Sequence, residues 1–507
     1  MTAARSPGKS LTPHEVPANL RPVSQQRVTS PDLVLPWGRT RGASEAPCPS
    51  LVLAWSLDEP ERVGEILAVR GPACIGRGEN LADDPAPRIH PMRVRPGYTI
   101  PRLPIANARI SRQQLAVSPL EGGQLEVRCI GRTPMFVNGR AASEAVVSAN
   151  DLIELRNAAI FLVTERRATL AEPRSGDEPR FDFGVPDEHG IVGESELAHR
   201  LREQLAFAAS TSRHVLLLGP SGTGKELAAR AIHALSDRRA KTFVSRNAAT
   251  LPEGIVDAEL FGNMRGYPNP GMPERPGLLG EAHESTLFLD EIGDLPERLQ
   301  VHLLRAMDDD GEYQRLGDSR PRRSSFRLVA ATNRPLSSLK HDFLARFTHR
   351  IHLPSLDERR DDLPLVMRSL LVRAAHADPS IAERFFERRG GQMAEPRVTP
   401  LLVTRLLRHR FTHNVRELDR LLWLAIGGAR EDYLDVTPEL EAELGEPVST
   451  ATEASEVDAS AIERALLDSS GNISAAARAL GLRNRYVLLR LIKKHGVDVA
   501  GTDTEDA

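Results

Sequence analysis

The stretch His214–Ile232, HVLLLGPSGTGKELAARAI, decides the fold of the middle of the chain. The apolar run before Gly219 predicts a buried strand, the glycines predict a loop, and the residues after Lys225 predict a helix. In that order, the backbone N–H groups of the loop and the helix N-terminus can bind phosphate oxygens, and Lys225 supplies a mobile positive charge. We expect nucleotide phosphates to contact Gly219, Pro220, Ser221, Gly222, Thr223, Gly224, Lys225 and Glu226.

A second run, Thr286–Glu291 (TLFLDE), predicts a buried strand that ends in two carboxylates. Ligands of α/β proteins bind at the carboxyl ends of the strands, so this pair is expected beside the phosphate loop. Asp290 would hold the Mg²⁺ that accompanies ATP, and Glu291 would orient or deprotonate the attacking water. An isolated pair of this kind is more often a solvated cap or a salt bridge. After an apolar strand that follows a phosphate loop, ATP hydrolysis is the better interpretation.

Composition limits the classes of protein to which the chain can belong. The 507 residues carry 66 Lys and Arg against 69 Asp and Glu, a net charge of −3, so no overall field indicates nucleic acid or membrane. The three cysteines show no spacing typical of a disulfide framework or a zinc site. Because no apolar run is long enough to span a bilayer and the start has no signal-peptide core, we expect a cytoplasmic protein without a membrane partner.

Changes in residue pattern divide the chain into several parts. Short apolar runs between turn signals predict an all-β sandwich, whereas strands that alternate with helices predict a parallel α/β sheet. The expected parts are a disordered arm (1–50), a β-sandwich (51–165), a charged linker (166–190), an α/β domain (191–425), an acidic linker (426–457), a small all-α unit (458–498) and a polar tail (499–507).

The central part resembles a known family over about residues 190–425. The motifs that carry the resemblance, in chain order, are GPSGTGKE, DAELFGNMRGY, GLLGEAHESTLFLDEIGDLP, LLRAMDDDGEYQRLG, RLVAATNRPL, HLPSLDERRDDLP and HNVREL. Together they are similar to the AAA+ ATPase domain of sigma-54-dependent transcriptional activators (bacterial enhancer-binding proteins). The resemblance implies a P-loop NTPase with a helical lid. Glu226 stands where Ser or Thr contacts Mg²⁺ in the general phosphate-loop pattern, but it agrees with this family, whose loop ends in GKE.

The resemblance also implies roles for residues outside the two strand ends. Val192 and Gly193 would border the adenine, and Asn247 would restrain Glu291 until nucleotide and target are sensed. Thr332 and Asn333 would be the first sensor of the γ-phosphate.

Arginines of the family complete the site from the lid and from a neighbouring subunit. Arg416 would be the second sensor on the lid, and Arg346 would reach into the site of the next subunit, with Lys340 at the position of the second such arginine. A site completed across an interface requires a closed ring, so we expect a hexamer-like self-oligomer. Ordinary surface or helix-pairing roles are the alternative for Arg346 and Arg416.

One loop of the family departs from its pattern here. Where these activators carry GAFTGA, which engages the sigma factor, residues 266–271 read GYPNPG. Two prolines restrict the backbone, so the loop is expected to be stiffer than in the family. Engagement of sigma-54 RNA polymerase holoenzyme, a loop for another partner, and drift in a dispensable loop all stay open.

The β-sandwich resembles a forkhead-associated (FHA) domain, which reads phosphothreonine. The similar segments are CIGR from Cys74, IANARISR from Ile105 and FVNG from Phe136. By resemblance Arg77, Ser111 and Arg112 would contact phosphate of a phosphothreonine-containing protein, and Asn138 would hold the peptide backbone. Gln114 replaces the family's structural His, and a basic, Pro-rich insertion at about 84–104 separates the first two loops. A sandwich that has lost its ligand is the alternative.

The last helical unit carries six Arg and Lys and no acidic residue between Ser469 and Val497, so positive charge is concentrated there. It is similar to the Fis-type helix-turn-helix that ends many sigma-54 activators, with double-stranded DNA as its partner. An amphipathic helix for dimerisation alone is the alternative. Residues expected to meet bases or phosphates are Arg483, Asn484, Arg485, Tyr486, Arg490, Lys493 and Lys494.

The sequence therefore predicts a DNA-binding, ATP-hydrolysing regulator of transcription with ATP and Mg²⁺ as cofactors and phosphothreonine as an input. The competing hypothesis is a phosphopeptide-reading DNA-binding regulator that does not engage sigma-54 and has a weak or structural ATPase.

Overall fold

The computed structural model describes six stretches of the chain and a few isolated helical residues. They are residues 45–79, 86–173, 181–251, 255–308, 310–389 and 392–445, with Ile462, 464–466, Leu488 and Ile492. In these parts, no helix has both the length and the apolar character needed to cross a membrane.

The first part is β-rich, as expected, and its strands form two antiparallel sheets. The larger sheet has eight strands in the order β5-β4-β2-β1-β12-β11-β8-β9, and the smaller has four in the order β10-β7-β6-β3. The strands are β1 (Cys48–Ser56), β2 (Ile66–Ala68), β3 (Ala73–Ile75), β4 (Met92–Arg95), β5 (Tyr98–Pro101), β6 (Leu115–Pro119), β7 (Leu125–Cys129), β8 (Met135–Val137), β9 (Arg140–Ala142), β10 (Glu144–Val147), β11 (Leu152–Leu155) and β12 (Ala159–Arg166). The insertion expected at about 84–104 forms the hairpin β4–β5 at one edge of the larger sheet.

The second part is an α/β domain, and the predicted parallel sheet is confirmed. Its five strands lie in the order β14-β15-β18-β13-β19 and all pair in parallel. Its elements are α1 (Glu196–Ala209), β13 (Val215–Leu218), α2 (Lys225–Ala234), β14 (Val244–Asn247), α3 (Val256–Phe261), α4 (Gly277–Glu281), β15 (Thr286–Asp290), α5 (Glu297–Ala306), β16 (Glu312–Tyr313), β17 (Arg322–Arg323), β18 (Arg327–Thr332), α6 (His341–Ala345) and β19 (His349–His352).

A helical lid follows, which we define as residues 363–445. It contains α7 (Leu363–Ala377), α8 (Pro379–Phe385), β20 (Phe386–Arg389), β21 (Gln392–Pro396), α9 (Pro400–Arg408), α10 (Asn414–Gly428) and α11 (Pro438–Leu444). The stretch 426–457 was expected to be an acidic linker, but its first half contains the end of α10 and the helix α11. Thr437 caps α11, and Leu440 and Leu444 are buried against the lid, so few but well-spaced apolar residues suffice to dock this acidic helix.

The described part of the charged linker predicted at 166–190 packs against side chains of the sandwich and of α1. Phe181 stacks under the guanidinium groups of Arg95 and Arg202, and Phe183 lies under Arg93. Two aromatic rings in a charged, proline-bearing stretch therefore fix its path between the sandwich and α1.

Strands β1 and β12 explain how the sandwich and the lid fit together. Successive side chains of a strand point to opposite faces, and here both faces are buried. On β12, Phe161 and Val163 pack inside the sandwich. Ile160 and Leu162 point the other way and join a core shared with the lid helices, to which Trp55 of β1 also belongs. An antiparallel sheet with one face in water would show alternating polarity, so the nearly continuous apolar runs of these strands reflect the second partner.

Directional contacts accompany this shared core. The indole Nε1–H of Trp55 donates to the carbonyl oxygen of Val398 at 2.9 Å. Arg408 of α9 donates from Nη1 to the carbonyl oxygen of Asn138 at 3.1 Å. The sandwich and the lid therefore meet through both packed apolar side chains and hydrogen bonds.

We predict that Trp55→Ala lowers the free energy of unfolding by about 3 kcal/mol or more, because it opens a cavity in the shared core and leaves the Val398 carbonyl without its donor. Urea unfolding of the full chain measures the change. Trp423→Ala is the matched control, since Trp423 lies on α10 with 47% of its surface exposed, and it should stay within about 0.5 kcal/mol of the parent. Equal losses in the two variants would contradict the shared core.

Candidate functional site

The loop between β13 and α2 has the conformation that the sequence predicts. Gly222 has φ +79°, and a Cβ added there would lie 2.0 Å from the carbonyl oxygen of His413. Only glycine fits this position, because the lid backbone passes directly over the loop. Gly224 has φ +96° and caps the N-terminus of α2, so the helix starts at Lys225 with its free N–H groups directed at the loop.

Lys225 is only 7% exposed and lies inside this loop. Its Nζ donates to the carbonyl oxygens of Gly219 and Pro220 at 2.9 and 3.1 Å. Burial lowers the pKa of Lys225, while the charges of Glu291 and Asp290 act in the opposite direction. The ammonium group is therefore held among carbonyl dipoles and close to two carboxylates, where it can reach a phosphate.

Asp290 ends β15, and Glu291 directly follows it. Glu291 has φ +50°, a left-handed backbone that a non-glycine residue rarely adopts, and this conformation turns its side chain away from the strand direction. Its backbone N–H donates to Asp290 Oδ1 at 3.0 Å, and its Oε2 accepts from the backbone N–H of Asn333 at 3.4 Å. The two carboxylates thus have different positions and different contacts.

The donor set fits a magnesium ion that arrives with a nucleotide. Mg²⁺ prefers carboxylate oxygens, and it is usually bound by one or two carboxylates together with substrate phosphates and waters. Asp290 and Glu291 line the same cleft as the phosphate loop. Within the described residues, no group of three or more His, Cys, Asp or Glu is placed to hold a metal ion.

The lid contributes its part of the site at the start of α10. Asn414, with φ +50°, donates from Nδ2 to the carbonyl oxygen of Ser221 at 2.9 Å and accepts from Leu356 N at 2.8 Å. Arg416 donates from Nη1 to the hydroxyl oxygen of Ser221 at 3.1 Å. The predicted lid arginine therefore lies on the phosphate loop, and Asn414 joins the lid to the loop backbone.

The far end of the cleft is apolar and begins with the segment Gly190–Ser195. Ile191 and Val192 line the cleft here, together with further apolar side chains of α1 and α7: Leu201, Val366 and Leu370. The guanidinium of Arg359 is buried and donates from Nη1 to the carbonyl oxygen of Val192 at 2.9 Å. Burial lowers the pKa of Arg359 against the opposing charge of Asp362. This end can hold the faces of a flat, aromatic base.

Most of the predicted nucleotide residues meet in one cleft. Those that line it are Val192, Ser221, Gly222, Thr223, Gly224, Lys225, Glu226, Asp290, Glu291 and Arg416. Thr332, at the end of β18, pairs in register with Leu218 at the start of the loop, and its carbonyl accepts from Gly219 N at 3.4 Å. Sequence reasoning missed the cleft residues Arg359, Ser369, Arg373 and Asp419. The quoted motif HLPSLDERRDDLP contains Arg359, but nothing in its pattern separates that arginine from its neighbour Arg360.

Three predicted residues lie at the edge of this site or outside it. Asn247 pairs in register with Asp290, and its side-chain oxygen accepts from Ala249 N at 2.9 Å. Its restraint of Glu291 stays a prediction. Arg346 lies on the surface, 2.8 Å from Asp308, with 44% of its side chain exposed. Lys340 contacts Glu297 at 3.0 Å, also on the surface.

The loops of the sandwich bring together three of the residues predicted to read phosphothreonine. Arg77 N donates to the carbonyl oxygen of Ser111 at 3.0 Å, and a Cβ on Gly76 would lie 2.0 Å from the carbonyl oxygen of Arg112. Gln114 is fully buried, accepts from Ser111 N at 3.1 Å, and donates to the carbonyl oxygen of Thr133 at 2.7 Å. The residue in place of the expected His therefore still ties neighbouring loops together.

Asn138, the fourth predicted residue, lies on the β8–β9 turn with φ +51°. Its Nδ2 donates to Asp151 at 2.8 Å, and its Oδ1 accepts from Leu152 N at 3.0 Å. Because Arg408 of the lid contacts its carbonyl oxygen, this turn belongs to the boundary between sandwich and lid.

The predicted DNA-binding set falls outside the described residues. It comprises Arg483, Asn484, Arg485, Tyr486, Arg490, Lys493 and Lys494.

Comparison with known proteins shows which family the chain resembles. Residues 191–356 match the family described as the Sigma-54 interaction domain. The chain is 36% identical over 347 residues to the nitric oxide reductase transcription regulator NorR2 of Cupriavidus necator, covering 60% of this chain and 63% of that protein. It is 31% identical over 362 residues to the transcriptional regulatory protein ZraR of Salmonella typhimurium, covering 69% of this chain and 77% of that protein.

For some relatives the match covers a smaller share of their length. Against the formate hydrogenlyase transcriptional activator FhlA of Escherichia coli, the match is 34% identical and spans 62% of this chain but 45% of that protein. Among solved structures, the crystal structure of NtrX from Brucella abortus in complex with ATP matches with a TM-score of 0.43 and 29% identity, over 62% of this chain and 70% of that chain. The chain thus spans less than two thirds of several relatives whose names describe regulators of transcription.

Proposed function

The chain belongs to the family of sigma-54-dependent transcriptional regulators, and on that premise we propose that it is a DNA-bound regulator that hydrolyses ATP in a ring to remodel RNA polymerase holoenzyme. The sigma-54 interaction domain is an AAA+ ATPase domain, and residues 191–356 form it here. We further propose that the sandwich supplies a phosphothreonine input.

The observation that carries the ATPase is the single cleft that joins the phosphate loop, two carboxylates and a lid arginine. Lys225 and the N-terminus of α2 would bind the β- and γ-phosphates, while Arg416 closes on them from the lid. Asp290 would hold Mg²⁺, which neutralises phosphate charge when bound. Glu291, directed away from the strand by its left-handed backbone, would orient and deprotonate the attacking water.

We predict that Glu291→Gln lowers ATP turnover by about 100-fold or more and leaves ATP binding intact, because the amide keeps the shape but cannot take a proton. Phosphate release and titration with a fluorescent ATP analogue measure the two quantities. Glu284→Gln is the control, since Glu284 forms an exposed pair with Lys241 at the opposite end of β15. Unchanged turnover in Glu291→Gln would remove the assignment.

The exposed position of Arg346 supports the proposed ring. It is exposed and does not line the cleft of its own chain, which is compatible with a role in the site of a neighbouring subunit. An arginine supplied in this way raises turnover by about 10³-fold or more in other NTPases. Light scattering in the presence of nucleotide tests the ring, and a protein that stays monomeric at every concentration contradicts it.

The phosphothreonine input rests on Arg77, Ser111 and Arg112, which lie on adjoining loops of a rigid sandwich. Guanidinium, hydroxyl and backbone N–H groups in such loops suit a dianionic phosphate.

We predict that Arg77→Ala lowers affinity for a phosphothreonine peptide about tenfold and leaves the weak affinity for the unphosphorylated peptide as it was. Fluorescence anisotropy with the two peptides measures this selectivity. Arg70→Ala is the control, because Arg70 pairs with Glu45 on the exposed surface of the same sandwich. A parent protein that binds both peptides equally contradicts the input.

A second candidate function is favoured by the loop at residues 266–271. Asn263 donates from Nδ2 to the carbonyl oxygens of Tyr267 and Pro273, and the ring of Tyr267 packs against Gly317. The backbone of Gly266 also bonds to Met272. A turn held at its base by these hydrogen bonds, with Pro268 and Asn269 in place of the family's Phe and Thr, supports a regulator that acts without sigma-54.

Formation of an open promoter complex separates the two functions. We predict that the full chain, with ATP and sigma-54 holoenzyme, opens a promoter that carries its binding site. We also predict that the six Arg and Lys of residues 469–497 make DNA binding fall steeply with salt. Permanganate footprinting and anisotropy measure these effects. ATP hydrolysis without promoter opening would favour the second function, and salt-independent binding would contradict the DNA contact.

A further inference from the structure

The carboxylate of Glu194 is buried between the sandwich and the ATPase core, and it has donors on several sides. Arg95, the last residue of β4, donates from Nε to Oε2 at 3.0 Å and from Nη2 to Oε1 at 2.6 Å. Gly184 N donates to Oε1 at 2.9 Å, and Nε2 of His199 lies 3.2 Å from Oε2. Burial opposes ionisation, but the neighbouring side chains of His199 and Arg95 outweigh it and lower the pKa of Glu194 to about 2. Glu194 is thus a fixed anion held by a two-point contact with the sandwich.

A second arginine of the sandwich holds the backbone of the same residue. Arg166, the last residue of β12, donates from Nη2 to the carbonyl oxygen of Glu194 at 2.7 Å and from Nη1 to Asp361 at 2.8 Å. On the other side, Glu194 N donates to Asp362 at 2.7 Å, just before α7. The side chain and both backbone polar groups of Glu194 are therefore fixed, and two of the partners are sandwich arginines.

Glu194 lies two residues after Val192, which lines the apolar end of the nucleotide cleft. The residue between them, Gly193, has φ +134°, and a Cβ there would lie 2.4 Å from Asp362 Oδ2. The carbonyl oxygens of Val192 and Gly193 accept from Arg359 and Arg202 at 2.9 and 2.8 Å. Because the backbone of residues 192–194 is held by these hydrogen bonds and close contacts, we expect a shift of Glu194 to displace Val192 in the wall of the cleft.

We propose that Arg95 and Arg166 are positioning residues for the nucleotide base: they hold the segment Ile191–Ser195 in place from the sandwich, although neither lines the cleft. The inference rests on the proposed function, in which the cleft binds ATP. The sandwich then acts on the base end of the site, while Lys225 and Arg416 act on the phosphates.

The test compares ligands with and without a base in the full-length protein. Arg95→Met should raise the dissociation constant and KM for ATP on the order of tenfold, a coupling typical of linked sites, with little change in kcat. Affinity for inorganic tripolyphosphate, which has no base, should stay at the parent value. Arg95→Lys keeps the charge but loses the two-point contact, so its KM for ATP should lie between that of the parent and that of Arg95→Met.

Two further variants guard against a merely structural effect. Arg95→Met leaves a buried carboxylate without its partner, so the double variant Arg95→Met/Glu194→Gln, which has no such charge, should fold and show the same loss for ATP. Arg102→Met is the control next to the same hairpin, because Arg102 donates to Glu65 at 3.2 Å, and it should bind ATP like the parent.

The outcomes separate this inference from the proposed function. A folded double variant with the KM of the parent, or equal losses for ATP and tripolyphosphate, would overturn the positioning role alone. A parent protein without affinity for ATP would overturn the proposed function and the inference together. A simple loss of folded protein would lower kcat per mole and leave KM as it was, which also counts against positioning.

Discussion

Burial of the outer face of β1 and β12 beneath the helical lid is the constraint on which the rest of the structure depends. These strands already fill the sandwich with one set of side chains, and on the outer face the lid removes Ala54, Trp55, Ile160 and Leu162 from water. The lid in turn places Asn414 and Arg416 on the phosphate loop. One packing solution therefore fixes the sandwich, the lid and the nucleotide cleft with respect to one another.

The cleft divides into two ends with different physics. At the phosphate end, glycines, a helix N-terminus and Lys225 provide positive potential, and the left-handed backbone of Glu291 separates its carboxylate from that of Asp290. At the base end, apolar side chains dominate, and their position is set by the buried ion pair between Glu194 and Arg95 and by the hydrogen bonds to the Glu194 backbone. The first end is built from local sequence, whereas the second depends on residues far apart in the chain.

This difference explains what could be predicted from sequence. The phosphate loop, the carboxylates after β15 and the parallel sheet follow from short-range patterns, and the structure has them where we expected. Arg95 and Arg359 could not be found in this way, because an arginine that will be buried against a distant partner reads like any surface arginine. The insertion that contains Arg95 was recognised in the sequence only as a difference from the forkhead-associated family. The acidic stretch that forms α11 was predicted to be a linker because it contains few apolar residues.

The core shared by β1, β12 and the lid also limits how such proteins can be recombined. A chimera that took the ATPase domain and lid without the sandwich would expose the apolar flank of the lid around Leu402, Leu406 and Val398 to water. It would also lose the donors to the Glu194 carboxylate and to its carbonyl. A chimera of this protein should therefore keep the sandwich together with the ATPase domain and the lid, and its junction should not lie in the charged stretch that joins the sandwich to α1.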